Sequence, residues 1–90
     1  MEIEYDTEKA ARTLVERGPD FDRAGQIFAG QYFTRPDDRT HYGEVRFITA
    51  GKLDGRLVVL VWTTRGNRRR IISMGKANDR EQTFYEKYLG

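Results

Sequence analysis

The segment from Val58 to Ser73 constrains the fold most strongly. It begins with an uninterrupted apolar run, Val58 to Trp62, passes through Arg65-Gly66-Asn67, and continues with three consecutive arginines, Arg68 to Arg70. A strand that is apolar at consecutive positions must be covered on both faces, which favours a central place in a sheet. Glycine and asparagine accept the positive φ of a short hairpin loop. The segment therefore predicts a hairpin with core residues in one strand and cations in the next.

The flanking sequence predicts an α+β domain with an antiparallel sheet of about four strands. Asp6 and Asp20 are candidate N-caps for two short N-terminal helices, over residues 7–17 and from Phe21 to Gly30. A C-terminal helix is expected to start at Asn78 to Glu81, whose residue types resemble a capping box. Strands are predicted at residues 2–5 (an edge strand), 32–33, 44–50, 56–64 and 69–74, with a turn at Asp54-Gly55.

Length and composition limit the architecture and the chemistry. The chain has 90 residues, enough for one domain over residues 1–90. It has no cysteine and one histidine, His41, so we expect neither a disulfide nor a metal site, and no cofactor. The longest apolar stretch, residues 57–62, is far shorter than the roughly 20 residues of a membrane span. We therefore expect a cytoplasmic protein that does not enter a membrane.

The charge distribution is uneven, although the formal net charge is only +2. Residues 45–76 contain eight cations and one acid, Asp54, whereas most acids precede residue 45. Local potential, more than net charge, steers polyanions, so this distribution favours an anionic ligand at the basic segment. The same arginines could also serve only to solubilise an exposed strand, and composition alone leaves both interpretations open.

If the anion is RNA, cleavage without a metal requires proton carriers as well as cations. One group accepts the 2′-hydroxyl proton and another donates a proton to the leaving 5′-oxygen. The candidates are His41, Glu44, Lys9 and Lys76. Three of them have a simpler interpretation: His41 as a surface histidine in a loop, Lys9 as a solvated helix residue, and Glu44 as the ion-pair partner of Arg46.

The arginines differ in how well the predicted sheet would support them. Arg65 lies at the tip of a hairpin anchored by a buried strand, which makes it a candidate phosphate clamp. Strand alternation predicts Arg68 and Arg70 on one face and Arg69 and Ser73 on the other, so only one subset could serve a single site. Trp62 and the aromatic residues of the last helix are predicted to be core.

Short motifs along nearly the whole chain are similar, in order and spacing, to those of the BrnT toxin family. They are Tyr5 to Ala11, Glu16 to Phe21, Gly43 to Phe47, Gly55 to Leu57, Thr64 to Gly66, Arg70 to Ser73, Lys76-Ala77 and Arg80-Glu81. Each motif alone is weak, and their ordered spacing carries the resemblance.

The resemblance implies a RelE-like fold and the toxin half of a type II toxin-antitoxin pair. The expected activity is that of a metal-independent endoribonuclease that cuts RNA and inhibits translation. The implied partner is a BrnA-type antitoxin of the ribbon-helix-helix class, through which alone the chain would meet operator DNA. Family-type functional positions fall on Lys9, Arg17, Arg65 and the Arg70-to-Ser73 strand. His41 and Glu44 complete the catalytic candidates, and Arg46, Arg69 and Lys76 are the substrate-binding candidates.

Two residues depart from the family pattern. Arg17 stands where members usually carry histidine, and Gly75 stands where they usually carry arginine. An arginine stays protonated and does not shuttle protons, so phosphate binding tolerates these changes better than proton transfer does. Two hypotheses follow: an active endoribonuclease, or a catalytically weakened homologue that binds the antitoxin and acts in autoregulation of its operon.

Overall fold

The computed structural model describes residues 1–16, 18–39 and 41–89. Its elements along the chain are β1 (Glu2–Tyr5), α1 (Thr7–Val15), a 3-10 turn (Phe21–Arg23) that leads into α2 (Ala24–Ala29), β2 (Tyr32–Pro36), β3 (Phe47–Leu53), β4 (Arg56–Arg65), β5 (Arg68–Lys76) and α3 (Asp79–Leu89). This arrangement confirms the predicted α+β class. No helix in the described part of the chain is long and apolar enough to cross a membrane.

The sheet differs from the prediction in strand number and direction. It has five strands in the order β1-β5-β4-β3-β2, and β1 runs parallel to β5, with Glu2 opposite Arg68 and Tyr5 opposite Ile71. The sheet is therefore mixed and not antiparallel. Local sequence fixes hairpins through their turns, but β1 and β5 lie far apart in the chain and share no turn. Their pairing depends on tertiary packing.

Strand β4 lies at the centre of the sheet and separates two hydrophobic clusters, which confirms its predicted burial on both faces. The first cluster joins Val58, Leu60 and Trp62 to α1 and α2. The second cluster joins Leu57 and Val61 to α3. One sheet face is thus covered by the N-terminal helices and the other by the C-terminal helix, since alternate side chains of a strand point to opposite faces.

The predicted caps and turns form, with one difference. Asp6 accepts hydrogen bonds from two backbone amides of the first turn of α1, and Asp54-Gly55 adopts positive φ at both positions, as a type I′ turn requires. In the second hairpin only Gly66 has positive φ, at +59°, whereas Asn67 does not. A two-residue loop whose first residue is glycine fits a type II′ turn, in which only that first residue must adopt a positive φ.

Several boundaries differ from the sequence prediction. The second helix is divided into the 3-10 turn and the six-residue α2. β3 begins at Phe47 and not at residue 44, while β2 extends to Pro36 because it pairs with β3 along its whole length. On α3, Tyr85 is buried as predicted, but Phe84 and Tyr88 are exposed.

Candidate functional site

A β-bulge in β5 determines which residues share the sheet face that carries α3. Val61 of β4 lies opposite Ser73, but the next residue, Trp62, lies opposite Ile71, so Ile72 is the extra residue. A bulge shifts the alternation of side chains by one position. Ser73 therefore lies on the same face as Arg70, and the prediction that they occupy opposite faces is wrong. No local pattern in the sequence signals the bulge.

The bulge produces a continuous polar stripe on this face, which we call the basic stripe and define as Arg65, Arg68, Arg70 and Ser73. Arg65 pairs across the hairpin with Arg68, and Arg70 lies opposite Thr63. The second hydrophobic cluster joins α3 to residues nearer the other end of these strands. The stripe thus runs from the hairpin tip toward α3 on rigid, hydrogen-bonded strands.

Acidic residues of β1 partly compensate the basic stripe. Arg70 donates to Glu4 at 3.2 Å, and Arg68 lies 3.3 Å from a carboxylate oxygen of Glu2. The parallel pairing of β1 with β5 brings these charges together, although they lie more than 60 positions apart in the chain. Arg65 is exposed and has no side-chain partner among the described residues, so it is the most available cation of the stripe.

Next to the stripe lies a cavity of about 560 Å³ between α3 and the sheet, which we call the α3 cavity. Its lining includes the apolar residues Ile48, Val59 and Val61 from the sheet, together with Ser73. Four cations also line it: Arg35, Arg39, Lys76 and Arg80. One acid, Glu81, lines the cavity as well, so cations outnumber acids around an apolar floor. Ser73 belongs to both the stripe and the cavity.

Two of these cavity arginines have well-defined partners. The Nε of Arg35 donates to the hydroxyl of the buried Tyr85 at 3.1 Å. Arg39 donates to both carboxylate oxygens of Asp37, at 2.7 and 2.8 Å. The Arg39 guanidinium lowers the pKa of Asp37 to about 2. The charge of Arg39 is therefore compensated by Asp37, whereas the hydrogen-bond partner of Arg35 is a neutral hydroxyl.

Comparison with known proteins agrees with the expectation from the motifs. The family model for the ribonuclease toxin BrnT of type II toxin-antitoxin systems matches residues 5–81. The chain belongs to the BrnT family. The matched residues include the whole basic stripe. No curated protein and no solved structure matches the chain.

Membership of the BrnT family implies an RNA target and an antitoxin partner. Three of the cavity cations were not predicted as site residues from the sequence: Arg35, Arg39 and Arg80. They fall in a turn cluster and a helix cap, where charged residues are common. A signal for Arg35 existed: it lies two residues after Phe33, and in a strand such residues share a face.

The loop before β3 holds another group of predicted site residues. His41, Glu44 and Arg46 line a second cavity of about 490 Å³. Glu44 accepts a hydrogen bond from Arg46 at 3.0 Å, which confirms the ion-pair interpretation, and Arg46 stacks 4.1 Å from the ring centre of Tyr42. The loop is tied to β4, since the hydroxyl of Thr63 donates to the backbone carbonyl of Val45.

The remaining predicted site residues lie away from the stripe. Arg69 is on the opposite face, 3.8 Å from the ring centre of Phe28, and its buried Nε has no hydrogen-bond partner in the described structure. Lys9 belongs to α1, which packs through Ala10 on that same opposite face. Arg17 lies outside the described residues. The structure thus brings Arg65, Arg70 and Ser73 to one face and separates Lys9 and Arg69 from them. Lys76 lines the α3 cavity, but its register position opposite Val58 belongs to the other face.

Proposed function

We propose that this chain is a metal-independent endoribonuclease toxin that holds the RNA backbone along the basic stripe and inhibits translation by cutting RNA. The observation that carries this proposal is the β5 bulge, which aligns Arg65, Arg70 and Ser73 on one sheet face beside the cationic α3 cavity. Family membership supplies the reaction class, and the stripe supplies a surface suited to it.

In this proposal the stripe stabilises charge at the phosphate. Attack by a ribose 2′-hydroxyl on the adjacent phosphorus increases the negative charge on the nonbridging oxygens before the 5′-oxygen leaves. Arginine binds such oxygens through two parallel N–H groups, and positioned donors of this kind contribute most when they are held rigidly. Arg65 and Arg70 project from paired strands that fix their backbone positions, and Arg70 exchanges its contact with Glu4 for one with the phosphate.

The proton carriers in this proposal come from the loop that precedes β3. His41 is exposed there, and Glu44 is held beside Arg46. Lys9 and Arg17 stay predictions from the family pattern. Lys9 belongs to α1, which packs on the sheet face opposite to the stripe. Lys76 and Arg46 are assigned to substrate binding, and Arg69, which packs on the opposite face, is left out of the proposed site.

The test is RNA cleavage by the purified chain in EDTA. Arg65→Ala and Arg70→Ala should each lower the cleavage rate by about tenfold to a thousandfold, the range typical for loss of one charge-stabilising donor. Arg56→Ala is the matched control, because Arg56 is an exposed arginine of β4 on the opposite sheet face. Equal rates for all three variants, or no cleavage by the unaltered chain, would refute the assignment.

The proposed partner is a BrnA-type antitoxin of the ribbon-helix-helix class. Covering the stripe would exclude RNA, and an acidic, partly helical segment would complement its charge. Operator DNA would then be contacted through the antitoxin alone, in the cytoplasm. A RelE-like relationship accords with the α+β architecture and goes beyond what the family match states.

A second candidate function is a catalytically weakened, antitoxin-binding homologue that acts in autoregulation. The dispersed proton carriers favour it: Glu44 is already paired with Arg46, and Lys9 lies across the sheet from the stripe. Expression without the antitoxin separates the two candidates. Growth arrest supports the active toxin, and unimpaired growth that becomes arrested on Arg17→His or Gly75→Arg supports the weakened form.

A further inference from the structure

The α3 cavity has features of a ligand site that the basic stripe lacks. Its volume of about 560 Å³ lies within the range of roughly 300 to 1,000 Å³ typical of small-molecule pockets. The stripe is an open strand surface, whereas the cavity has a floor and walls. Ser73 lies at the junction, so a strand of RNA that follows the stripe reaches the cavity without crossing another element.

Arg35 is preorganised to bind an anion in this cavity. Its Nε is hydrogen-bonded to the hydroxyl of Tyr85, and its guanidinium carbon lies 5.3 and 5.8 Å from the ring centres of Phe84 and Tyr85. Tyr85 is only 2% exposed, so its position is fixed by the core. Both terminal nitrogens of Arg35 are without a side-chain acceptor among the described residues, which leaves a two-pronged donor for one phosphate.

The floor of the cavity suits a flat and largely apolar group. Val59 and Val61 belong to the second hydrophobic cluster and line the cavity on the face that carries α3. Gly75 lies opposite Val59, and a Cβ added there would meet nothing within 4 Å. The missing side chain therefore leaves open space beside the two valines. The hydroxyl of Ser73 has no partner in the described structure and is available to a polar edge.

We propose that the α3 cavity binds one nucleotide of the RNA strand, with its phosphate on Arg35 and its base over Val59 and Val61 in the space beside Gly75. Tyr85 is a positioning residue, because its hydroxyl orients Arg35 from the wall of the cavity. This inference rests on the proposed ribonuclease function, and it adds a base-binding subsite to a backbone-binding stripe. A subsite with an apolar floor discriminates bases by size and edge groups, so cleavage should depend on the base that occupies it.

The experiment titrates the full chain with the four nucleoside 5′-monophosphates and follows its amide resonances by NMR. Ribose 5-phosphate and inorganic phosphate serve as probes that lack a base. Nucleotides should perturb the resonances of Val59, Val61 and Gly75 and bind more tightly than ribose 5-phosphate. Equal affinity for all of these probes would reduce the site to a phosphate contact and overturn the proposal.

Three variants assign the parts of the subsite. Gly75→Val fills the open space with a side chain suited to a strand and should weaken nucleotide binding by roughly tenfold or more, while leaving binding of inorganic phosphate unchanged. Arg35→Lys keeps the charge but loses the fork, and should weaken all phosphate probes by about tenfold. Tyr85→Phe should weaken them less, because it removes only the bond that orients Arg35. Arg56→Ala is the control with unaltered binding.

The fold is checked by thermal unfolding of each variant. If Gly75→Val does not fold, Gly75→Ala is used instead. Its affinities for a bulkier purine nucleotide and for a smaller pyrimidine nucleotide are compared, which probes the same space. Nucleotide affinity unchanged in both Gly75 variants would overturn the proposal. A peptide of alternating glutamate and leucine is a further probe. Perturbation of the cavity by this peptide, with none by nucleotides, would assign the cavity to a protein partner and also overturn the proposal.

The outcomes separate this inference from the proposed function. A chain that binds nucleotides in the cavity but cleaves no RNA refutes the ribonuclease and keeps the site. Conversely, the inference fails alone if the chain cleaves RNA and Gly75→Val cleaves it with unchanged KM and base preference. In the expected result Gly75→Val raises KM and loses the base preference, while Tyr85→Phe raises KM with little change in its thermal stability.

Discussion

Asp37 shows how one residue couples the stability of the molecule to pH. Its side chain is fully buried, and both of its carboxylate oxygens accept hydrogen bonds from Arg39. The arginine lowers the pKa of Asp37 from 3.8 to about 2 in the folded chain. Since the folded state holds the proton less tightly than the unfolded state, Asp37 contributes stability that is fully present above pH 3.8 and is lost as pH falls through about 2.

The prediction is that Asp37→Asn flattens the pH dependence of unfolding between about pH 4 and pH 2, the interval in which Asp37 releases its contribution. The variant should also be less stable at pH 7, because Arg39 loses a charged partner. Urea denaturation at several pH values measures both effects. Asp38→Asn is the matched control, since Asp38 is an exposed neighbour with no ion pair among the described residues. A pH profile of Asp37→Asn that parallels the unaltered chain would contradict this role.

At the scale of elements, the contact between α2 and β3 depends on the absence of one side chain. A Cβ added to Gly51 would lie 2.6 Å from the Cγ2 of Ile27, a fully buried residue of α2. Gly51→Ala should therefore destabilise the fold by about 1 to 3 kcal/mol through overpacking. Gly75→Ala is the control in the neighbouring part of the sheet, where the added Cβ meets open space. Chemical denaturation measures both, and equal stability of the two variants would show that α2 can move away from β3 without cost.

The elements also show how far the sequence could predict the structure. The β4–β5 hairpin, the central place of β4 and the caps of α1 and α3 follow from local patterns, and the structure confirms them. The bulge at Ile72 and the parallel pairing of β1 with β5 do not, because neither has a local signature and both depend on packing between distant segments. These two features arrange the candidate site: the bulge moves Ser73 to the face of Arg70, and the pairing brings Glu4 beside Arg70.

At the scale of the whole molecule, folding redistributes the charge asymmetry of the sequence. Several acids of the N-terminal half pair with arginines: Glu2 and Glu4 lie against Arg68 and Arg70, and Asp37 lies against Arg39. The basic segment therefore attracts RNA less strongly than its sequence suggests. Unlike the buried carboxylate of Asp37, the ion pairs of β1 are open to solvent and contribute little to stability, so the acids of β1 affect ligand attraction more than they affect folding.

This arrangement predicts that removing the acids of β1 strengthens RNA binding. In the double variant Glu2→Gln and Glu4→Gln, Arg68 and Arg70 lose their partners, while the backbone pairing of β1 with β5 is kept. Affinity for a non-cleavable 2′-O-methyl RNA should rise at low salt. The slope of log affinity against log salt should steepen by about 0.7 for each arginine that gains a phosphate contact. Glu8→Gln on α1 is the control, because that helix packs on the other face of the sheet. An unchanged slope and affinity in the double variant would mean that RNA does not follow the basic stripe, and cleavage would then have to be assigned to another face of the molecule.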